Sequence, residues 1–179
     1  MKIIITALIL FFSTAVIAQD QNNRALVFNK ELKILVGNWE GTSVYTDPKR
    51  NNMQVYLKAF LEVTDLGDSL MLRCLYIDAQ GNESSDTSIL RIHDKEDQLR
   101  IDHDLYNIVS TARKGGRMEV VGERAGYDNS IKPGFDMSLR ADFRQTITFN
   151  AANLKMVKEL RFMENDYLFI RRRSTFTKK

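Results

Sequence analysis

From Gly37 onward, apolar and polar residues alternate one by one along much of the chain. The clearest stretch is Met53 to Val63. Met53, Val55, Leu57, Ala59, Leu61 and Val63 are apolar, while Gln54, Lys58 and Glu62 are polar or charged. An extended strand sends alternate side chains to opposite faces, so this pattern predicts a strand with one dry side. Tyr56 and Phe60 fall on the other side and call for cover by a helix or a partner. Ser69–Asp78 repeats the pattern with Leu70, Leu72, Cys74 and Tyr76 on one face. Ser85–His93, carrying Ile89 and Ile92, Gln98–His103, Tyr106–Arg113 and Arg117–Glu123 follow as predicted strands. Gly115-Gly116 suits a tight hairpin between the last two. Asp136–Phe149 aligns Met137, Leu139, Ala141, Phe143, Ile147 and Phe149, and Tyr167–Phe176 closes the series. Ala151–Met163 is rich in helix formers, yet Leu154, Met156, Leu160 and Phe162 alternate, which favours a strand. Arg124–Gly134 reads as the longest irregular piece, a loop over one end of the sheet.

The chain before Gly37 has a different rhythm. Phe28–Gly37 predicts a helix of one or two turns, with Asn29 as N-cap and Gly37 as the stop. Residues 19–27 read as a loose lead-in. Residues 1–18 combine a lysine, an uncharged run and a small residue at Ala18, the three-part pattern of a secretory signal peptide cleaved after Ala18. The run is short of the roughly 20 residues a spanning helix needs. The chain is therefore expected in a periplasm or outside the cell, with no stable membrane insertion after cleavage. Residues 28–179 then form one domain of ordinary size. Eight to ten short strands with tight turns predict an all-β fold, an antiparallel up-and-down β-barrel, because closure removes exposed sheet edges.

Composition narrows the function. With 44% hydrophobic and 27% charged residues, the chain is neither disordered nor collagen-like. A formal charge of +3 is too near balance to imply nucleic-acid binding. The single cysteine, Cys74, excludes an internal disulfide, and two histidines argue against a multi-histidine metal site. No cofactor motif is present. His103, between Asp102 and Asp104, and His93 are candidates for acid–base work, but neighbouring strand residues point to opposite faces.

Leu35-Val36-Gly37-Asn38-Trp39-Glu40-Gly41 is the most specific local signal. A helical turn followed by Gly-x-Trp at the opening of the first strand resembles the lipocalin-like (calycin) superfamily, and most closely small exported bacterial lipocalin-like proteins. The resemblance implies that Trp39 packs at the closed end of a barrel, with Gly37 beside it. It also implies a basic residue of the last strand across the indole. Arg172 is the candidate, since by period two it shares the more apolar face of that strand with Leu168, Ile170 and Phe176. The family's late Arg-x-Tyr pair has no counterpart, for the sequence reads Arg172-Arg173-Ser174.

Polar residues on the dry faces mark the candidate site. Gln145 interrupts the apolar face of Asp136–Phe149, and Lys158 that of Leu154–Phe162. A buried polar group without a partner is costly, so such residues meet each other, water or a ligand. Tyr45, Tyr76 and Tyr106 add hydroxyls, and Leu57, Leu61 and Phe143 apolar lining. With Arg172 these residues form the expected ligand site. Three functions remain open at this point. One is an exported binding protein holding a small apolar molecule or lipid with an anionic end near Arg172. Another is a cell-envelope interaction scaffold with a packed barrel, presenting Tyr56 and Phe60. The third is a barrel-lined isomerase or hydrolase. The sequence leaves the oligomeric state open.

Overall fold

The computed structural model describes residues 31–47, 50, 52–93, 97–128, 139–162 and 169–179. The expected signal segment, the expected lead-in and Asn29 lie outside them. Ten strands run in chain order among the described residues. They are β1 (Gly37–Asp47), β2 (Met53–Asp65), β3 (Leu70–Ile77), β4 (Glu83–His93), β5 (Gln98–Ile101), β6 (Asp104–Lys114), β7 (Arg117–Asp128), β8 (Leu139–Phe149), β9 (Asn153–Phe162) and β10 (Phe169–Lys178). Each pairs antiparallel with the next, and β1 pairs with β10, which closes the barrel. The all-β up-and-down architecture is as the alternation predicts, and residues 153–162 are strand.

Two local expectations need correction. Of the predicted N-terminal helix, the described residues show only a short turn, with Glu31 and Leu32 helical and Lys33–Leu35 a 3-10 turn. The stretch 124–128, read as loop, continues β7, because Arg124 keeps the alternation of Met118, Val120 and Gly122. On β4 the inward pair is Leu90 and Ile92, while Ile89 is half-buried.

The interior changes from one end of the barrel to the other. Along β2, Met53 is 61% exposed, Leu57 half-buried, and Ala59, Leu61 and Val63 buried. The lower end is an apolar plug built from Trp39, Leu61, Val63, Leu70, Leu90, Phe149, Leu154 and Phe176. Leu32 and Leu35 cap it from below. Burying each such side chain contributes about 1.5–3 kcal/mol. Trp39 also satisfies its indole N–H, which donates to the Leu35 carbonyl at 2.8 Å. The chain's last residues seal this end: Lys178 Nζ donates to the Ile34 carbonyl at 3.0 Å, and the Lys179 N–H to the Asn38 carbonyl at 2.9 Å. Gly41 allows β1 and β10 to approach closely, since a Cβ there would collide with the Thr175 carbonyl.

The upper end stays wide. Ten strands enclose a larger lumen than the eight that side chains alone can fill. A notch also interrupts the wall. β5 spans four residues between two eleven-residue neighbours, and β4 meets it only from Leu90 to His93. The ladder ends at Asp102, whose backbone N–H donates to the Ile89 carbonyl and whose carboxylate accepts the Ile89 N–H at 2.8 Å. Above that point, Glu83–Ser88 is paired with β3 alone.

Candidate ligand-binding site

A polar belt sits on the apolar plug. Ser43 and Ser174, opposite each other on β1 and β10, are buried and share a hydrogen bond of 2.8 Å between their hydroxyls. One step higher on β10, Arg172 turns inward. Its Nε donates to Ser43 Oγ at 3.2 Å, and its guanidinium carbon lies 4.6 Å from the centre of the Tyr76 ring. Among the described residues no carboxylate lies within 4 Å of Arg172. Burial pushes the Tyr76 hydroxyl well above its ordinary range, against the opposing pull of Arg172, so it stays a neutral donor.

Arg172 faces in by alternation with Ser174 and Phe176, and a register shift between Ile170 and Arg172 changes the face of the residues before it. Before the shift Phe169 packs on the core and Ile170 is exposed; after it Arg172, Ser174 and Phe176 face in. Leu168 lies outside the described residues. The expected stacking of Arg172 on Trp39 is not formed. Arg172 pairs with Tyr45, and Trp39 pairs with Lys178. Six strand residues separate the two levels, roughly 20 Å. Lys178 Nζ takes the place over the indole, 5.3 Å from its centre.

A second cationic group stands across the lumen. Arg124 lies 4.1 Å from the Phe143 ring centre and pairs with Asp104 at 2.9 Å. Lys158 approaches the same ring, at 5.5 Å, and the same carboxylate, at 3.7 Å. Tyr106 donates to Asp104 at 3.4 Å, and burial raises its pKa too. Phe143 therefore sits between two cations that share one acid.

These groups enclose two connected spaces. The upper one, about 1490 Å³, opens at the wide end. Tyr45, Leu57, Phe143 and Leu160 contribute to its wall. The inner one, about 370 Å³, lies beside the notch, lined by Tyr106, Gln145, Asp102, His103 and Asp104 among others. Tyr76, Asp86, Lys158 and Arg172 face both. Eight of the nine expected ligand residues thus line one space or the other. Leu61 does not, being buried in the plug below.

Sequence reasoning missed Asp86, Arg124 and Asp104. Period two from Met118 through Arg124, and from Leu90 back to Asp86, carried the signal. His103 is exposed at the notch and His93 lies at the lower end of β4, opposite Gln98. The two histidines do not converge. Cys74 is buried beside Tyr76, and burial raises its pKa. No group of three or more metal-ligating side chains occurs among the described residues.

These features define the class: a closed ten-stranded antiparallel barrel with a plugged lower end and a large polar-belted lumen. Comparison with known proteins adds a fold-level likeness. The crystal structure of Rv2717c from M. tuberculosis superposes with a TM-score of 0.60 at 14% sequence identity, over 87% of this chain and 98% of that one. That likeness concerns the fold alone. No family model matches the chain, and no curated protein matches it.

Proposed function

We propose that this chain is a lipocalin-like binding protein that holds a small, mostly apolar molecule in its upper lumen, with an anionic end at Arg172. The observation that carries this reading is a guanidinium turned into a lumen of about 1490 Å³ with no carboxylate partner among the described residues. A cation so placed favours an anion, and charge-assisted hydrogen bonds from Arg172 orient it. Tyr45, Leu57, Phe143 and Leu160 supply apolar area, and affinity grows with the area they bury at about 25 cal/mol per Å². The protein acts after export, as its first 18 residues propose. Native mass spectrometry of protein purified from its own host tests the reading. A co-purifying anion with an apolar body supports it. A ligand-free protein that also fails to take up medium-chain carboxylates overturns it.

The scaffold reading has less support. Tyr56 is 66% exposed, but Phe60 is half-buried beneath Lys58 and Lys179, whose Nζ atoms lie 4.8 and 5.2 Å from its ring centre. The two rings therefore do not form one apolar patch.

A further inference from the structure

The wall of the lumen also carries an exposed charge of the opposite sign. Asp86 lies on β4 opposite Cys74, on the inward face, and borders both the upper and the inner space. Among the described residues no cation lies within 4 Å of its carboxylate. Arg172 and Asp86 both act on Tyr76 and on Cys74, Arg172 lowering each pKa and Asp86 raising it. The two charges therefore flank the same pair of side chains. The remaining inward charges are different. Arg124 and Lys158 are both held by Asp104, a cluster with one positive charge in excess. Asp102 spends its carboxylate on the Ile89 backbone.

We infer that the bound molecule is a zwitterionic amphiphile, its anionic group held by Arg172 and an ammonium group held by Asp86, with the apolar body in the upper lumen. This rests on the reading above and narrows it. Asp86 leaves the cavity acidic on one side and basic on the other. A simple carboxylate satisfies Arg172 but lies in the unfavourable field of Asp86. A zwitterion satisfies both. Asp86 is exposed beside the notch, so the pairing contributes what a solvated ion pair does, about two- to fivefold in affinity.

Calorimetric titration of the chain from residue 19 onward at neutral pH with decanoate and with N-decyl-N,N-dimethylglycine, both as monomers, tests this. The inference predicts that the betaine binds about two- to fivefold more tightly than decanoate. Asp86→Asn removes that preference, Asp86→Glu retains it, and circular dichroism reports the fold of each variant. Equal or tighter binding of decanoate, or a preference that survives Asp86→Asn, overturns the inference and leaves the proposed function standing. Failure of both compounds to bind overturns the proposed function itself.

Discussion

Arg172 on β10 lies over the ring of Tyr76 on β3, its guanidinium carbon 4.6 Å from the ring centre, although two other strands separate theirs around the barrel wall. The contact spans the lumen and divides the upper space from the inner one. It rests on buried hydroxyls, since Ser43 holds the guanidinium and Ser174 holds Ser43. A cation held this way keeps its charge toward the cavity while losing little rotamer freedom when a ligand arrives.

The lower plug contains Trp39, the largest fully buried side chain among the described residues. Trp39 is 1% exposed and donates to the Leu35 carbonyl. Trp39→Ala is expected to cost about 3–5 kcal/mol in urea unfolding. Lys178→Met removes the cation over the indole and one hydrogen bond, and is expected to cost about 1 kcal/mol. Comparable losses for the two variants would contradict the assignment of Trp39 as the plug's centre.

The β1–β10 seam depends on a missing side chain. Gly41→Ala places a methyl against the Thr175 carbonyl, which is rigid backbone. The expected cost is about 1–3 kcal/mol. Amide hydrogen exchange should show faster opening along Gly41–Tyr45 and Arg172–Phe176 than elsewhere. Uniform acceleration over all ten strands would argue that the seam is not the weak point.

Cys74 is buried, and burial raises its thiol pKa, so little thiolate forms near neutral pH. Ellman's reagent at mildly alkaline pH is expected to label the native protein slowly and the urea-unfolded protein at once. Rapid labelling of the folded chain would place the thiol in an accessible position.

Three surface carboxylates with lowered pKa values weaken the fold when acid protonates them. Hydrogen bonds from Lys179 and Lys58 lower the Glu40 pKa; the Gly67 N–H and then Lys33 lower that of Asp65; Asn82 lowers that of Asp78. Groups with depressed folded pKa values stabilise fully above their unfolded values, 4.5 for Glu and 3.8 for Asp, and stop doing so as pH falls through the folded values. Urea midpoints should hold steady from neutral pH down to about 5 and decline below about 4. Asp78→Asn should make that decline shallower. A midpoint that rises on acidification would reverse the assigned sign.

The barrel could be read from the sequence because one physical rule, alternation across a wall, acts on nearly every strand. Met53–Val63 and Leu70–Tyr76 are plain instances, and the rule settled 153–162 against its helix propensity. The same rule placed Gln145, Lys158 and Arg172 inside. It failed where local geometry intervenes. The register shift before Arg172 reverses the face on which Ile170 was expected. Trp39 received Lys178 because period two admits both basic residues on β10, and only pairing across the seam chooses between them. The notch depends on where β5 stops, which Asp102 decides through a side-chain bond to Ile89 thirteen residues away. Asp86 became a site residue through that long-range event.

The central claim is that Arg172 anchors an anion in an open lumen, and isothermal titration of decanoate into the chain from residue 19 onward and its Arg172→Met variant tests it most directly. The account predicts one molecule bound per chain and an affinity at least about tenfold weaker in the variant, the worth of a charge-assisted hydrogen bond. Equal binding by the two proteins, or no binding by either, would contradict it.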